Sequence, residues 1–410
     1  MADHATAVRP QVLREAVAQR ARGPLQGLLM RQPFWVTAAL LLISLFMSWL
    51  QPEAFATADN LFNITRNFAF IGIMALGMTC VILTGGIDLS VGSLMGFVGV
   101  LTGLVLQAGA IPLPLPTPGP GLVAWAAILL LAAAGQIVFA RLVGARAGII
   151  AALTLLLAGM AAAGLALQPQ GVIWLTLPAG TIWLVAIVAG LFAGALAGAV
   201  NGLFVAYVGL PPFVVTLGML AAARSLAIVL SQNRMIYDFG PDADIFYWIG
   251  GGQILGIANP VWVLLVLALL FGFLFNFTAW GRHLYAIGGN ESAARLTGVA
   301  VERIKFQAYV VSGLTAAVAT VLTVSWAGSA LNAMGQGYEL RVIASAVIGG
   351  ANLMGGEGGA YGAVIGAALI EVIRNSLLMA GVDANWQGTF VGAFIVLAVL
   401  LQRVRGRARE

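Results

Sequence analysis

The run Gly85-Gly86-Ile87-Asp88-Leu89-Ser90-Val91-Gly92-Ser93 sets a carboxylate and two hydroxyls directly after a pair of helix breakers. Gly85 and Gly86 can end one helix, and Asp88 can cap the next, with Ser90 and Ser93 on its first turns. Broken helices of this kind aim exposed backbone groups at a polar solute or at another part of the protein. A carboxylate near a membrane is costly, so Asp88 should face a cavity, a partner or the cytoplasmic surface. Two readings stand here. Asp88 either only caps the helix start, or it touches a solute or takes part in gating.

Few other polar groups interrupt the apolar segments: Asn201, Arg224, Arg341, Glu371 and Arg374. Glu371 and Arg374 are three apart, on one helix face, and can pair with each other. Arg224 has no local partner and can snorkel or bond to a neighbouring helix. Glu339 and Arg341 flank an expected break beside Gly337 and Tyr338, where they would shape a pathway or meet a partner outside. Asp88, Ser90, Ser93, Asn201, Arg224, Tyr338, Glu339 and Arg341 are therefore the candidates for a pathway or gate. Tyr237, Phe246, Tyr247 and Trp248 could stack on a sugar, although Trp and Tyr also gather at membrane interfaces for solvation alone.

A second constellation is charged rather than buried. It runs Gly288-Gly289-Asn290-Glu291-Ser292-Ala293-Ala294-Arg295-Leu296-Thr297-Gly298-Val299-Ala300-Val301-Glu302-Arg303-Ile304-Lys305. Asn290 can cap a short helix whose first turn carries Glu291, the charge that suits a helix start. Gly298 is placed to end it. The segment is either a rigid lever between two spans or an ordinary solvated loop.

Several chemistries are excluded. The only lysine, Lys305, has no glycine-rich loop before it, so there is no P-loop for ATP. One cysteine, Cys80, allows neither an internal disulfide nor a cysteine metal site, and His4 and His283 make no metal signature. No catalytic residue, cofactor site or metal site is expected, and no polar stretch is long enough for a soluble catalytic domain. Nucleic acid is not an expected partner.

The elements that must position these residues belong to a membrane. Of the residues, 61% are hydrophobic and only 9% charged, with a mean hydropathy of +0.99. Soluble domains carry about 25% charge. The 52 glycines suit helices packed closely in lipid. A bilayer core of about 30 Å needs about 20 apolar residues of helix. Segments near that length are 34–50, 64–84, 88–109, 122–141, 148–167, 182–208, 213–232, 260–279, 306–331, 359–380 and 386–402. The glycine-flanked stretch 338–354 is either a full crossing or a pair of half-helices. The expectation is an all-α polytopic membrane protein of about ten to twelve helices with broken or re-entrant segments.

Basic residues set the orientation. Arginines precede the first span (Arg9, Arg14, Arg20, Arg22, Arg31) and follow the last (Arg403, Arg405, Arg407, Arg409). Arg141 and Arg146, then Arg282, Arg295, Arg303 and Lys305, mark two inner loops. Both ends then lie in the cytoplasm. This gives a basic segment 1–33, a transmembrane domain 34–402 with an inner loop 281–305, and a basic tail 403–410. The basic start lacks a cleavage site, so the first apolar segment is expected to be retained. For the C-terminus to return inside, 338–354 must count as a crossing. The stretch 233–259 falls outside, with Asp238, Asp242 and Asp244.

Glu291, Ala294 and Gly298, followed by Ile304, resemble the docking loop of importer permeases from ABC transporters. Gly85–Ser93 resembles the signature of the branch that carries ribose, xylose and related monosaccharides. Gly337-Tyr338-Glu339-Leu340, through Ala344 to Gly349-Gly350 and Gly355-Gly356, resembles that branch's second block. The three blocks occur in order within 64–400; between about 110 and 180, around Pro112–Pro118, the chain departs from the common pattern.

The resemblance implies a bacterial inner-membrane permease with no enzyme activity of its own. It would work as two copies with membrane lipid around them. A cytoplasmic ATP-binding subunit would dock on Gly289, Asn290, Glu291, Ala294, Arg295, Gly298 and Arg303. An extracytoplasmic sugar-binding protein would deliver a monosaccharide, with a pentose such as D-xylose or ribose expected, or a nucleoside or other furanose in its place. The rivals are an ion-coupled secondary carrier, which Asp88, Glu371 and Arg374 keep open, and a membrane scaffold that transports nothing.

Overall fold

The computed structural model describes residues 32–113 and 173–383, with positions 386, 388–389 and 392–393. The expected spans 122–141 and 148–167 and nearly all of 386–402 lie outside the described residues. So do the basic start up to Arg31, the stretch 114–118, Arg141, Arg146 and the tail 403–410.

Among the described residues, eight helices are long and apolar enough to cross a bilayer. The chain runs through α1 (Gln32–Leu50), α2 (Ala58–Leu83) and α3 (Val91–Ala108). Strands β1 (Ala110–Leu113) and β2 (Ile173–Thr176) then pair antiparallel. Next come α4 (Ile182–Gly202), extended by a π-helical turn Leu203–Val208, and α5 (Pro212–Ser231). A short helix, α6 (Ala243–Gly251), leads to α7 (Asn259–Phe277). Two short helices, α8 (Ala279–Gly289) and α9 (Glu291–Leu296), precede the long α10 (Val301–Ala327). The half-length α11 (Tyr338–Ile348) and α12 (Ala360–Met379) complete the set. The eight spans, α1–α5, α7, α10 and α12, each match a segment that apolar length predicts, and the protein is an all-α polytopic membrane protein.

Helix α2 is apolar all round and buried from Ala69 to Leu83, as expected of a helix surrounded by others. Around it lie α10, α12, α11 and α7. Lipid gives no hydrophobic drive for helices to associate, so close backbone approach must supply the contact. On α4, glycines recur every fourth residue at 190, 194, 198 and 202, and so line one face. A Cβ on Gly198 would overlap Tyr309 O, and one on Gly194 would overlap the Ala317 side chain and Gly313 O. Gly313 of α10 returns the contact, because a Cβ there would overlap Gly194 O. The two backbones touch.

The crossing expected at 338–354 is neither a full helix nor a pair of half-helices. From Gly328 to Gly337 the chain starts with a two-residue strand and continues mostly as turns, descending beside α3. Ala330 passes Gly103, Asn332 passes Gly96, and Gly335 passes Gly92. Helix α11 then completes the path with 11 residues, about 16 Å and so about half a bilayer core. The break comes before the stretch 338–354 rather than within it.

Gly198→Leu should lower the melting midpoint of the detergent-purified protein by about 1–4 °C, since overpacking costs about 1–3 kcal/mol. Gly272→Leu on α7, where a Cβ meets nothing within 4 Å, should leave it unchanged. Equal midpoints for the two variants would show that α4 and α10 do not depend on this contact.

Candidate functional site

Three sites take shape. The first is charged and lies in the loop between α8 and α10. Asn290 Oδ1 accepts from Ala293 N at 2.9 Å and caps α9, and Gly298 turns the chain away with φ +86°. Lys305 Nζ donates to Glu291 Oε2 at 2.5 Å, Arg295 pairs with Glu302, and Arg295 Nη2 reaches Glu291 Oε1 at 3.5 Å. Through its hydrogen bond and charge Glu302 pushes the Arg295 guanidinium up, and Glu291 adds to this. Exposed pairs contribute little singly, but a network fixes a geometry.

This network ties α9 to the first turns of α10. Ala294 points inward and is buried, while Leu296 is 89% exposed. Gly289 and Arg303 are exposed at the two ends of the loop. Beside it opens a cleft of about 370 Å³ between Glu291, Arg295, Lys305 and the turn Gly209-Leu210-Pro211-Pro212.

The second site is buried and centres on Asp88, which is 0% exposed. Its Oδ1 accepts from Ser90 N at 3.0 Å and Ser90 Oγ at 2.6 Å. Its Oδ2 accepts from Ser312 Oγ at 2.8 Å. Asn201 Nδ2 donates to Ser90 Oγ at 3.0 Å and approaches Asp88 Oδ1 at 3.5 Å. Tyr309 and Thr216 both donate to Ile87 O at 3.4 Å. All these donors are neutral. Asp88 therefore fastens the turn 84–90 to α4 and α10, rather than capping α3 through the N–H groups of its first turn. Ser93 lies apart, its hydroxyl bonded to Ser90 O within its own helix.

The third site is the broken crossing. Carbonyls of a non-helical run at membrane depth need donors. Arg224 Nη1 supplies two bonds, to Asn332 O at 2.6 Å and Met334 O at 3.0 Å. Glu339 Oε2 packs against Gly92, buried and with no hydrogen-bond partner. The Arg341 guanidinium lies over the Tyr338 ring, 5.3 Å from its centroid. Glu371 and Arg374 pair on α12, with Arg374 Nε donating to Glu371 Oε2 at 2.8 Å.

The structure thus joins Asp88, Ser90 and Asn201, and separately groups Arg224, Tyr338, Glu339 and Arg341. Sequence reasoning passed over Ser312 and Asn332; a hydroxyl beside Gly313 within an apolar helix was the available signal for Ser312. Of the outer aromatics, Phe246 is fully buried against Phe239 and cannot stack on a solute, whereas Tyr237 and Trp248 are exposed. Asp242 is also inward, accepting from Gly180 N at 2.7 Å and Trp183 N at 3.3 Å.

Comparison with known proteins gives a consistent result. The family described as "Branched-chain amino acid transport system / permease component" matches residues 121–399. The ribose import permease protein RbsC of Escherichia coli K12 is 34% identical over 364 residues, covering 88% of this chain and 91% of that protein. RbsC of Bacillus subtilis 168 is 32% identical over 364 residues, 89% and 90% of the two chains. The D-allose transport system permease protein AlsC of Escherichia coli K12 is 28% identical over 364 residues, 89% of each. No solved structure matches. With its eight apolar helices and a match across most of its length, the chain belongs to this family of multi-pass, inner-membrane transport-system permeases.

Proposed function

We propose that this chain is the membrane-spanning permease of an ATP-driven, binding-protein-dependent importer of a monosaccharide, with a pentose such as ribose or D-xylose as cargo. The observation that carries the reading is α9. It is a short, capped, charge-locked helix that presents Leu296 to the cytoplasm at 89% exposure. An apolar side chain held out this way suits burial against a partner, and a separate ATP-binding subunit is that partner. Relatives named for ribose import and for D-allose transport support a monosaccharide. Delivery by an outer binding protein would leave the permease needing only a transient, weak sugar site.

A second copy completes the pathway in this reading. Gln336 is exposed at the turn beside Gly335, which packs on Gly92 and Met95 of α3. Arg341 is half-exposed close by, and Ser225 is exposed on α5. Polar groups on the transmembrane surface are unsuited to lipid and favour a water-filled path or a second protein face. Two copies set with these faces together would line a central route with Tyr338, Gln336 and Arg341.

An ion-coupled carrier is the second reading, favoured by one observation: neutral donors alone hold the Asp88 carboxylate among the described contacts. Asp88→Asn separates the two. An importer should keep at least about a tenth of its uptake, since the amide oxygen can still accept from Ser312 or Ser90. A carrier that moves a proton on Asp88 would lose gradient-driven uptake altogether. Uptake in cells with and without a protonophore reads the difference, and uptake that collapses with the gradient while ATP persists would refute the importer.

Glu291→Lys places three cations together where two ion pairs now stand, and Gly298→Pro cannot adopt φ +86°. Each should abolish sugar uptake and co-purification of the ATP-binding subunit while the permease still inserts in the membrane. Normal uptake in both variants would defeat docking through this loop.

A further inference from the structure

Three separate parts of the chain meet backbone to backbone just above α9. They are the end of α2 at Leu83–Gly85, the end of α8 at Gly288, and the turn 352–358 between α11 and α12. Gly356 N donates to Leu83 O at 3.1 Å, and Tyr285 Oη donates to Gly358 O at 2.9 Å. No side chain fits between them. A Cβ on Gly288 would overlap both Leu83 O and Gly356 N. One on Gly355 would stand 2.8 Å from Gly288 Cα and 2.9 Å from Gly85 N. Gly85, Gly355 and Gly356 also hold φ of +76°, +95° and +77°, a region that other residues rarely enter.

Each strand of this knot leads within a few residues to an element already described. From Gly288 the chain reaches Asn290, the cap of α9. From Gly85 it reaches Asp88, which fastens the turn to α4 and α10. From the 352–358 turn it runs back through Gly349 into α11, whose far end carries Tyr338, Glu339 and Arg341. We propose that the Gly85–Gly288–Gly355 knot is the relay that converts displacement of α9 into movement of the two broken elements, the 84–90 turn and the 328–348 crossing. This rests on the docking reading of α9.

The physical basis is stiffness. Side-chain contacts absorb small shifts by changing rotamer, whereas touching backbones have no such slack. Packed interfaces of this kind pass small displacements on as discrete rearrangements. Gly85, Gly288, Gly355 and Tyr285 are thus positioning residues, none of which touches the sugar.

The test uses the assembled complex of permease, ATP-binding subunit and binding protein, in proteoliposomes. The readouts are the yield of co-purified ATP-binding subunit, sugar uptake, and the ratio of ATP hydrolysis with and without loaded binding protein. Gly355→Ala should keep the yield of complex but lower uptake and the stimulation ratio on the order of tenfold, in the range of typical coupling effects. Tyr285→Phe removes one hydrogen bond without adding bulk, and should lower both by a few-fold. Gly359→Ala, where a Cβ meets nothing within 4 Å, should match the native complex.

Native uptake and stimulation in Gly355→Ala would overturn the relay. If Gly355→Ala does not assemble, Tyr285→Phe decides: unchanged stimulation overturns the proposal. A native permease that never retains an ATP-binding subunit would overturn the importer reading and the relay together. Intact docking with normal coupling in both variants removes the relay alone.

Discussion

Lipid offers no hydrogen bond to a buried carboxylate, so Asp88 depends on how closely α4 and α10 can approach each other. The stripe of glycines on α4 and Gly313 on α10 bring those helices to backbone contact. At that separation Asn201, just before Gly202, and Ser312, just before Gly313, flank the 84–90 turn from two sides. Larger residues on the stripe would move both donors away. The carboxylate would then keep only its bonds to Ser90, and losing partners of a buried charge costs several kcal/mol. Packing and polar chemistry are therefore one constraint here, since the glycines set the distance that the hydrogen bonds need.

The broken crossing meets the same requirement by other means. Its turns leave carbonyls free inside the protein, and a helix would have satisfied them internally. Arg224 meets two of them with one nitrogen, and Asn332 Nδ2 bonds to Asn233 Oδ1 at 2.9 Å and Ser231 Oγ at 3.3 Å. Arg224 reads in sequence as a gate candidate, a snorkelling charge or a group bonded to a neighbouring helix. In the fold it holds the unwound segment against α5. Glu339, one residue after the start of α11, lies against Gly92 of α3.

What sequence could reveal follows from the range of each interaction. Spans were legible because bilayer thickness fixes apolar length, and α4 with its π-turn covers 182–208 as read. The Glu371–Arg374 pair was legible because both residues lie on one helical turn. α10 begins at Val301, ahead of the expected 306, because its first turn is charged and continues beyond the apolar run. The break at 328–337 was displaced in the reading because the donor to its carbonyls, Arg224, sits 108 residues away from Asn332. Ser312 was missed for a similar reason: its partner Asp88 is 224 residues distant. The glycines at 85, 288 and 355 were visible singly, but their meeting is a property of the fold.

The two ends of the inner loop are built from opposite materials. α9 is held by exposed ion pairs, each weak and screened by salt. Such a network can be pulled into a new arrangement by a partner that offers its own charges. Three residues before α9 begins, at Gly288, contact is backbone against backbone, with no side chain to yield. A soft attachment at the surface lets a partner engage and re-form contacts in each cycle. In the proposed relay, a stiff junction beneath it would keep that movement from dissipating in rotamers before it reaches Asp88 or α11. If the stiffness were at the surface and the softness beneath, α9 could move without consequence for the membrane-spanning part. The placement of glycine and charge along residues 285–305 is thus what a lever needs, with a compliant end and a rigid fulcrum.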